Sequence, residues 1–106
     1  MGLIICEIHG ESGIVQMSEL LHRYYINNKK TEVIKVIYEV EGLDNFVHYF
    51  SIVDDLSEGT QINNINEFDD YFSKISGDPG ACVNCFNLYL NNKKIEVKEK
   101  RVLVSN

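Results

Sequence analysis

Two short pairs of metal-type ligands, Cys6-Glu-Ile-His9 and Cys82-Val-Asn-Cys85, constrain this chain more than any other feature, because between them they use every cysteine in the sequence. Two intervening residues let both side chains of a pair bend around a knuckle toward one point, and two such pairs make a tetrahedral Cys3His set. Four protein ligands close the site and leave no position for a substrate. Thiolate-rich tetrahedral ligation suits zinc better than hard cations, and the single imidazole disfavours an iron–sulfur cluster. The expectation is one structural zinc ion on Cys6, His9, Cys82 and Cys85, with residues 10–81 forming an insert that must bring its two ends together.

Other readings compete for the same residues. Cys6 as a buried strand residue, with Cys82 and Cys85 as small hydrophobes, needs no metal. A redox Cys-x-x-Cys needs a thioredoxin-like βαβ setting and a helix after its first cysteine, and neither is clear in the pattern. An odd cysteine count argues against a disulfide framework. The two pairs resemble a zinc ribbon, in which two knuckles on hairpins share one ion; the resemblance covers Leu3 to Met17 and Gly80 to Leu90 and carries no activity with it. A treble clef is the near alternative and requires a helix after Cys85, against which the alternation of Phe86, Leu88 and Leu90 speaks. His9-Gly-Glu11 followed by Pro79-Gly-Ala-Cys82-Val-Asn-Cys85 also resembles a stretched zinc-deaminase signature, which implies His9, Cys82 and Cys85 as ligands and Glu11 as the acid/base. Three departures damage that likeness: Pro79 comes two residues early, His9 to Glu11 lies in a glycine turn instead of a helix, and Cys6 can fill the water's place.

Around the ligands the pattern is that of one α+β domain, 1–106, with an antiparallel sheet, two helices and a zinc site joining N- and C-terminal hairpins. Leu3 to Cys6 and Ile14 to Met17 read as strands flanking a turn with Gly10 and Gly13. Ser18 caps a helix over about 18–27, where Met17, Leu20, Leu21, Tyr24 and Tyr25 recur at helical spacing. Residues 31–40 and 46–53 alternate as a hairpin, broken only by Ile37. Asn64-Ile-Asn-Glu67 resembles a capping box before a helix over about 65–75, stopped by Ser76 to Gly80. Phe86 to Leu90 and Ile95 to Val97 then read as a second hairpin, with Val102 to Val104 as a last strand. The expected core is Ile5, Val15, Leu21, Tyr25, Val36, Tyr38, Phe50, Ile52, Phe68, Phe72, Leu88 and Leu90. In a chain of 106 residues such a core is modest, so a metal staple supplements it.

The formal charge of −6 is unevenly spread. Residues 54–72 hold Asp54, Asp55, Glu58, Glu67, Asp69 and Asp70 without a lysine or arginine, whereas residues 93–101 hold five basic side chains against two acidic ones. The acidic segment suits a basic protein partner, attracted by long-range steering, with Asp54, Asp55, Glu58, Asp69 and Asp70 as its contact face. In size, charge and lack of catalytic motifs the chain resembles the small bacterial immunity proteins that neutralise nuclease toxins. Nucleic acid on the basic end from Lys93 to Arg101 is the lesser expectation, since a pI near 4.9 opposes phosphate. No G-x-S-x-G, P-loop or dinucleotide fingerprint is present, and His22 and His48 read as structural, so no enzyme is expected. No stretch approaches the ~20 apolar residues of a membrane span and the start has no signal-peptide pattern, so the expected location is the cytoplasm. Met1-Gly2 hints at myristoylation, but Cys6 stands where that motif wants Ser or Thr.

Overall fold

A computed structural model describes residues 3–105. The fold is α+β, as the patterning predicts. Met1-Gly2, on which the myristoylation motif turns, lies outside the described residues.

β1 (Leu3–Cys6) and β2 (Gly10–Gln16) form the N-terminal hairpin, and β5 (Gly80–Cys82) pairs antiparallel with β2 to complete a sheet in the order β1-β2-β5. A second sheet has the order β4-β3-β6, built from β3 (Val33–Val40), β4 (Phe46–Ser51) and β6 (Val97–Val104). β3 and β4 are the expected antiparallel hairpin, but β6 runs parallel to β3. Parallel neighbours need a long crossover, supplied here by the whole stretch between β4 and β6. The sheets meet where Met17 bridges Tyr49 and the backbone N–H of Ser18 donates to the carbonyl of Tyr49 at 2.8 Å.

Two expected helices form where their caps place them. α1 (Glu19–Ile26) starts at Ser18, whose hydroxyl accepts from the N–H of Leu21, and α3 (Ile65–Ile75) starts at Asn64, whose side chain accepts from the N–H of Glu67 while Glu67 reaches back to the N–H of Asn63. A single turn, α2 (Ser57–Thr60), precedes α3. The expectation fails after Cys85. Val83–Asn92 is a helix, α4, with no second hairpin; its buried side chains are Phe86 and Tyr89, with Val83 and Leu90 packed beside the same core. The alternation of Phe86, Leu88 and Leu90 is accidental, and the spacing that governs burial is Cys82, Phe86, Tyr89, which is helical.

Two apolar clusters result. α3 packs on one face of the β4-β3-β6 sheet, burying Val36, Tyr38, Phe50, Phe68, Tyr71 and Val102 among others. The second cluster lies between α1, α4, β2 and the start of β3, around Met17, Leu21, Val33, Phe86 and Tyr89. β3 is covered on both faces: Val33 joins the second cluster and Ile37 is buried as well, which accounts for the break in alternation at Ile37. Four expected core residues are exposed: Ile5 on the open hairpin, Ile52 just beyond the end of β4, Phe72 at the rim of α3 and Leu88 on the outer side of α4. Tyr25 and Leu90 are half-buried at the margin of the second cluster.

Candidate metal centre

The long gap between the ligand pairs is closed by strand pairing. β5 lies against β2 with Ile14 opposite Cys82, Val15 opposite Ala81 and Gln16 opposite Gly80, so the insert delivers Cys82 directly beside the N-terminal hairpin. Gly80 eases this approach, since a Cβ there would come within 2.6 Å of the Ile14 side chain and force it to shift. Cys6 ends β1, His9 lies in the turn, and Gly10 opens β2 at φ +71°, the left-handed region in which a glycine meets no Cβ penalty. Cys82 occupies the N-cap position of α4 and Cys85 lies in its first turn.

The four donor atoms lie within 4.8 Å of one another. His9 Nδ1 is 3.6 Å from Cys6 Sγ, 3.7 Å from Cys82 Sγ and 3.5 Å from Cys85 Sγ, and the Sγ atoms of Cys6 and Cys85 are 3.4 Å apart. Zinc bond lengths of about 2.3 Å to sulfur and about 2.05 Å to nitrogen, at tetrahedral angles, imply sulfur–nitrogen edges of roughly 3.6 Å and sulfur–sulfur edges of roughly 3.8 Å. The nitrogen edges match closely, and the one short sulfur edge is a few tenths of an ångström below that value. These four edges are compatible with one cation shared by all four residues.

Electrostatics point the same way. The backbone N–H groups of His9 and Ile8 hold the Cys6 thiol below its usual range. Burial opposes ionisation of Cys82, but the backbone N–H groups of Cys85 and Asn84 and the hydroxyl of Ser12 outweigh it and bring that thiol to about 6. Each pair thus presents a first cysteine cradled by backbone amides of its own knuckle. Cys85 goes the other way, pushed up to about 12 by its contact with Cys6, then by burial and the nearby Cys82. His9 is raised chiefly through its contact with Cys6. Three sulfurs this close resist joint ionisation, and a cation among them removes that conflict.

Support comes from two residues that sequence reasoning did not single out. The amide of Asn84 donates to Ser12 Oγ at 3.4 Å, tying α4 to β2, and Ser12 is itself buried. Their only sequence signal is adjacency to the ligands. Glu11, the acid/base of the deaminase likeness, sits on β2 opposite Ile5 and is exposed. It is not part of the cluster.

The acidic residues separate by role. Asp54 is half-buried and accepts from the Ser18 hydroxyl at 2.6 Å and from the N–H of Ser51 at 2.8 Å, pinning α1 to the end of β4. Asp55 accepts from the hydroxyl and N–H of Ser57, which hold its carboxyl below the usual range. Glu58 pairs with Lys74 of α3. It shares one cleft with Asp54 and Asp55 and a neighbouring one with Asp70, whereas Asp69 lines neither. Asp69 and Asp70 are exposed on α3. His48 is fully buried against Asp78, and His22 is half-buried on α1. No helix among the described residues is long and apolar enough to cross a membrane. The chain matches no protein-family model, and neither the curated proteins nor the solved structures contain a significant match to it.

Proposed function

We propose that this chain is a non-enzymatic protein-binding module whose N-terminal hairpin and fourth helix are held together by one structural zinc ion on Cys6, His9, Cys82 and Cys85. The observation that carries it is the donor cluster, whose nitrogen–sulfur edges of 3.5–3.7 Å are compatible with tetrahedral zinc ligation. The helix after Cys85 favours a treble clef over the zinc ribbon that the sequence resembles. Cys6 completes the ligand set and so fills the position that a deaminase keeps for water, while Glu11 lies on a strand, away from the cluster; both weigh against an enzyme.

The partner we propose is a basic protein, in the manner of an immunity or inhibitor protein in the cytoplasm. Asp55, Glu58, Asp69 and Asp70, all exposed, are the acids that would meet it; Asp54 serves the scaffold behind them. Nucleic acid on the basic end is the lesser reading, because Arg101 is engaged by Glu39 and Glu99, and Lys98 lies 4.0 Å from Glu32.

Elemental analysis of purified protein should find about one equivalent of zinc, lost together with the ordered hairpin on strong chelation. Protein with no metal and an unchanged melting temperature in Cys82→Ser sinks the zinc reading. A pull-down should recover a cationic protein whose association slows with salt and with Asp69→Lys/Asp70→Lys. Retention of RNA instead, released by charge reversal at Lys98 and Lys100, transfers the function to the basic end.

A further inference from the structure

β6 is an edge strand whose outer side is open along most of its length. In the order β4-β3-β6 it pairs, among the described residues, with β3 alone, and just past its end Ser105 bridges Asn64, its N–H donating to the carbonyl of Asn63 at 3.0 Å and its carbonyl accepting from the N–H of Ile65 at 2.8 Å. The carbonyls of Glu96 and Val104 accept from the β3 side, from the N–H groups of Val33 and Glu41. Since backbone groups alternate along a strand, the even-numbered residues of β6 bond inward to β3. Val97, Glu99, Arg101 and Leu103 therefore turn their N–H and C=O groups outward. Among the described residues no strand pairs with this edge. Unpaired edges of this length recruit another strand unless something prevents it.

We propose that the occupant is β6 of a second copy of this chain, paired antiparallel about a two-fold axis at Lys100. The charge pattern selects both the occupant and the register. Centred on Lys100, Glu99 stands opposite Arg101 of the partner copy twice over, and Val97 stands opposite Leu103 twice over. Leu103 is 72% exposed and Val97 is 37% exposed in the single chain, so the pairing covers apolar surface that the fold itself leaves open. Shifting the centre to Glu99 sets two carboxylates face to face. Shifting it to Arg101 sets two guanidinium groups together and drives Val97 of the second copy into the Asn64 bridge at Ser105. Only the Lys100 register uses the free edge from 97 to 103 end to end.

On the same face Arg101 already contacts Glu39 at 2.5 Å and Glu99 at 3.4 Å, so dimerisation extends an existing charge row across the interface. The opposite face opposes it, because Lys100 of each copy meets its own mate at the axis. That lysine acts as a gatekeeper on the edge. One strand pairing is small beside a standard interface of about 1,600 Å², so the product is a concentration-dependent dimer, not an obligate one.

Sedimentation velocity on the zinc-loaded full chain over a concentration series tests this. Lys100→Thr should tighten association about tenfold by removing the like-charge pair, and Arg101→Glu should weaken it at least about tenfold by setting glutamates opposite each other at two places. The double reversal Glu99→Arg/Arg101→Glu should restore it to within about threefold, a result that only reciprocal pairing of these two residues gives. All these positions are exposed, and thermal melts confirm that the variants fold. Strictly monomeric behaviour of both wild type and Lys100→Thr overturns the proposal, as does self-association indifferent to Arg101→Glu. So does a monomer whose β6 edge binds an acidic peptide or single-stranded RNA in place of a second copy.

Discussion

The two halves of the molecule solve one packing problem with different means. In the half built on β3, β4 and β6, α3 lies across the sheet and buries a cluster rich in aromatic residues, with Tyr38 against Phe68 and Tyr71 and with Phe46 packed beside Phe68. In the half built on β1, β2 and β5, α4 and α1 cover a smaller cluster, and the surroundings stay apolar and open: Ile5 is 86% exposed and Ile8 78%. Neither Ile5 nor Cys6 of β1 joins a core cluster. β2 is held to α4 by Val15 in the second cluster, by the contact of Asn84 with Ser12 and by the β2–β5 ladder, whereas Cys6 and His9 reach α4 through the ligand cluster. Where side chains leave a segment uncovered, a cation on four side chains can replace packing as the cross-link.

The largest test of that contrast is metal removal. Structural zinc contributes on the order of 10 kcal/mol in small domains whose fold depends on it. Here we expect the loss to fall unequally. After chelation, or in Cys82→Ser, amide exchange should rise through β1, β2 and α4 while the amides of β3 and α3 keep most of their protection. Uniform collapse of both halves breaks the comparison, and uniform retention removes the metal from the account of stability.

A middle-sized test sets one aromatic from each core against the other. Phe68→Ala and Phe86→Ala each remove a buried ring and should each cost about 3–5 kcal/mol in the metal-loaded protein. In the metal-stripped protein Phe68→Ala should keep its cost, whereas Phe86→Ala should lose much of it, because the half it stabilises has already loosened. Denaturant melts of the four combinations measure this directly. Equal penalties with and without metal would mean that the second core stands independently of the ion.

Sequence and structure agree where one local signal decides the outcome. Ser18 and Asn64 are caps whose side chains meet free backbone donors in the next turn, and both helices begin there. The 31–53 hairpin and the convergence of Cys6, His9, Cys82 and Cys85 were equally legible, the latter because ligand spacing encodes a shared point without saying how the chain returns to it. Phe86 to Leu90 misled because a short apolar run fits both periods, and the choice was made by packing against β2, a contact far away in sequence. The parallel placement of β6 was hidden for a similar reason: Lys98 to Arg101 has no apolar alternation, and only Val102 and Val104 reach the core. Asp54 read as part of a charged surface and is a half-buried brace, because a carboxylate's hydrogen bonds to Ser18 and Ser51 leave no mark in composition.

The smallest effect we expect lies in the larger core, at His48. Its ring is fully buried between Phe46 and Phe50, with Nε2 3.0 Å from Asp78 Oδ2 and with Nδ1 left without a partner. A carboxylate only accepts, so Nε2 carries the proton, and protonation of Nδ1 would place an unpaired N–H in apolar surroundings. Burial accordingly lowers the pKa of His48 below its ordinary 6.5, with Asp78 first and Asp54 second opposing the shift. Above pH 6.5 the imidazole is neutral folded or unfolded and contributes no slope. As pH falls through 6.5 the unfolded chain takes up a proton that the folded one refuses, so stability declines until the lower folded pKa is reached, and then levels off. Because Asp78 offsets part of the burial, the decline should be shallow. Protons also compete for the thiolate and imidazole ligands of the metal centre, so the readout is the difference between wild type and His48→Gln in urea melts at pH 7.5 and pH 5.5. Whatever the substitution costs in absolute stability, it should flatten the pH slope, since any contribution from the Cys3His cluster is common to both proteins. An unchanged slope would mean that His48 does not set the acid sensitivity of this molecule and would turn attention to the half that carries the Cys3His cluster.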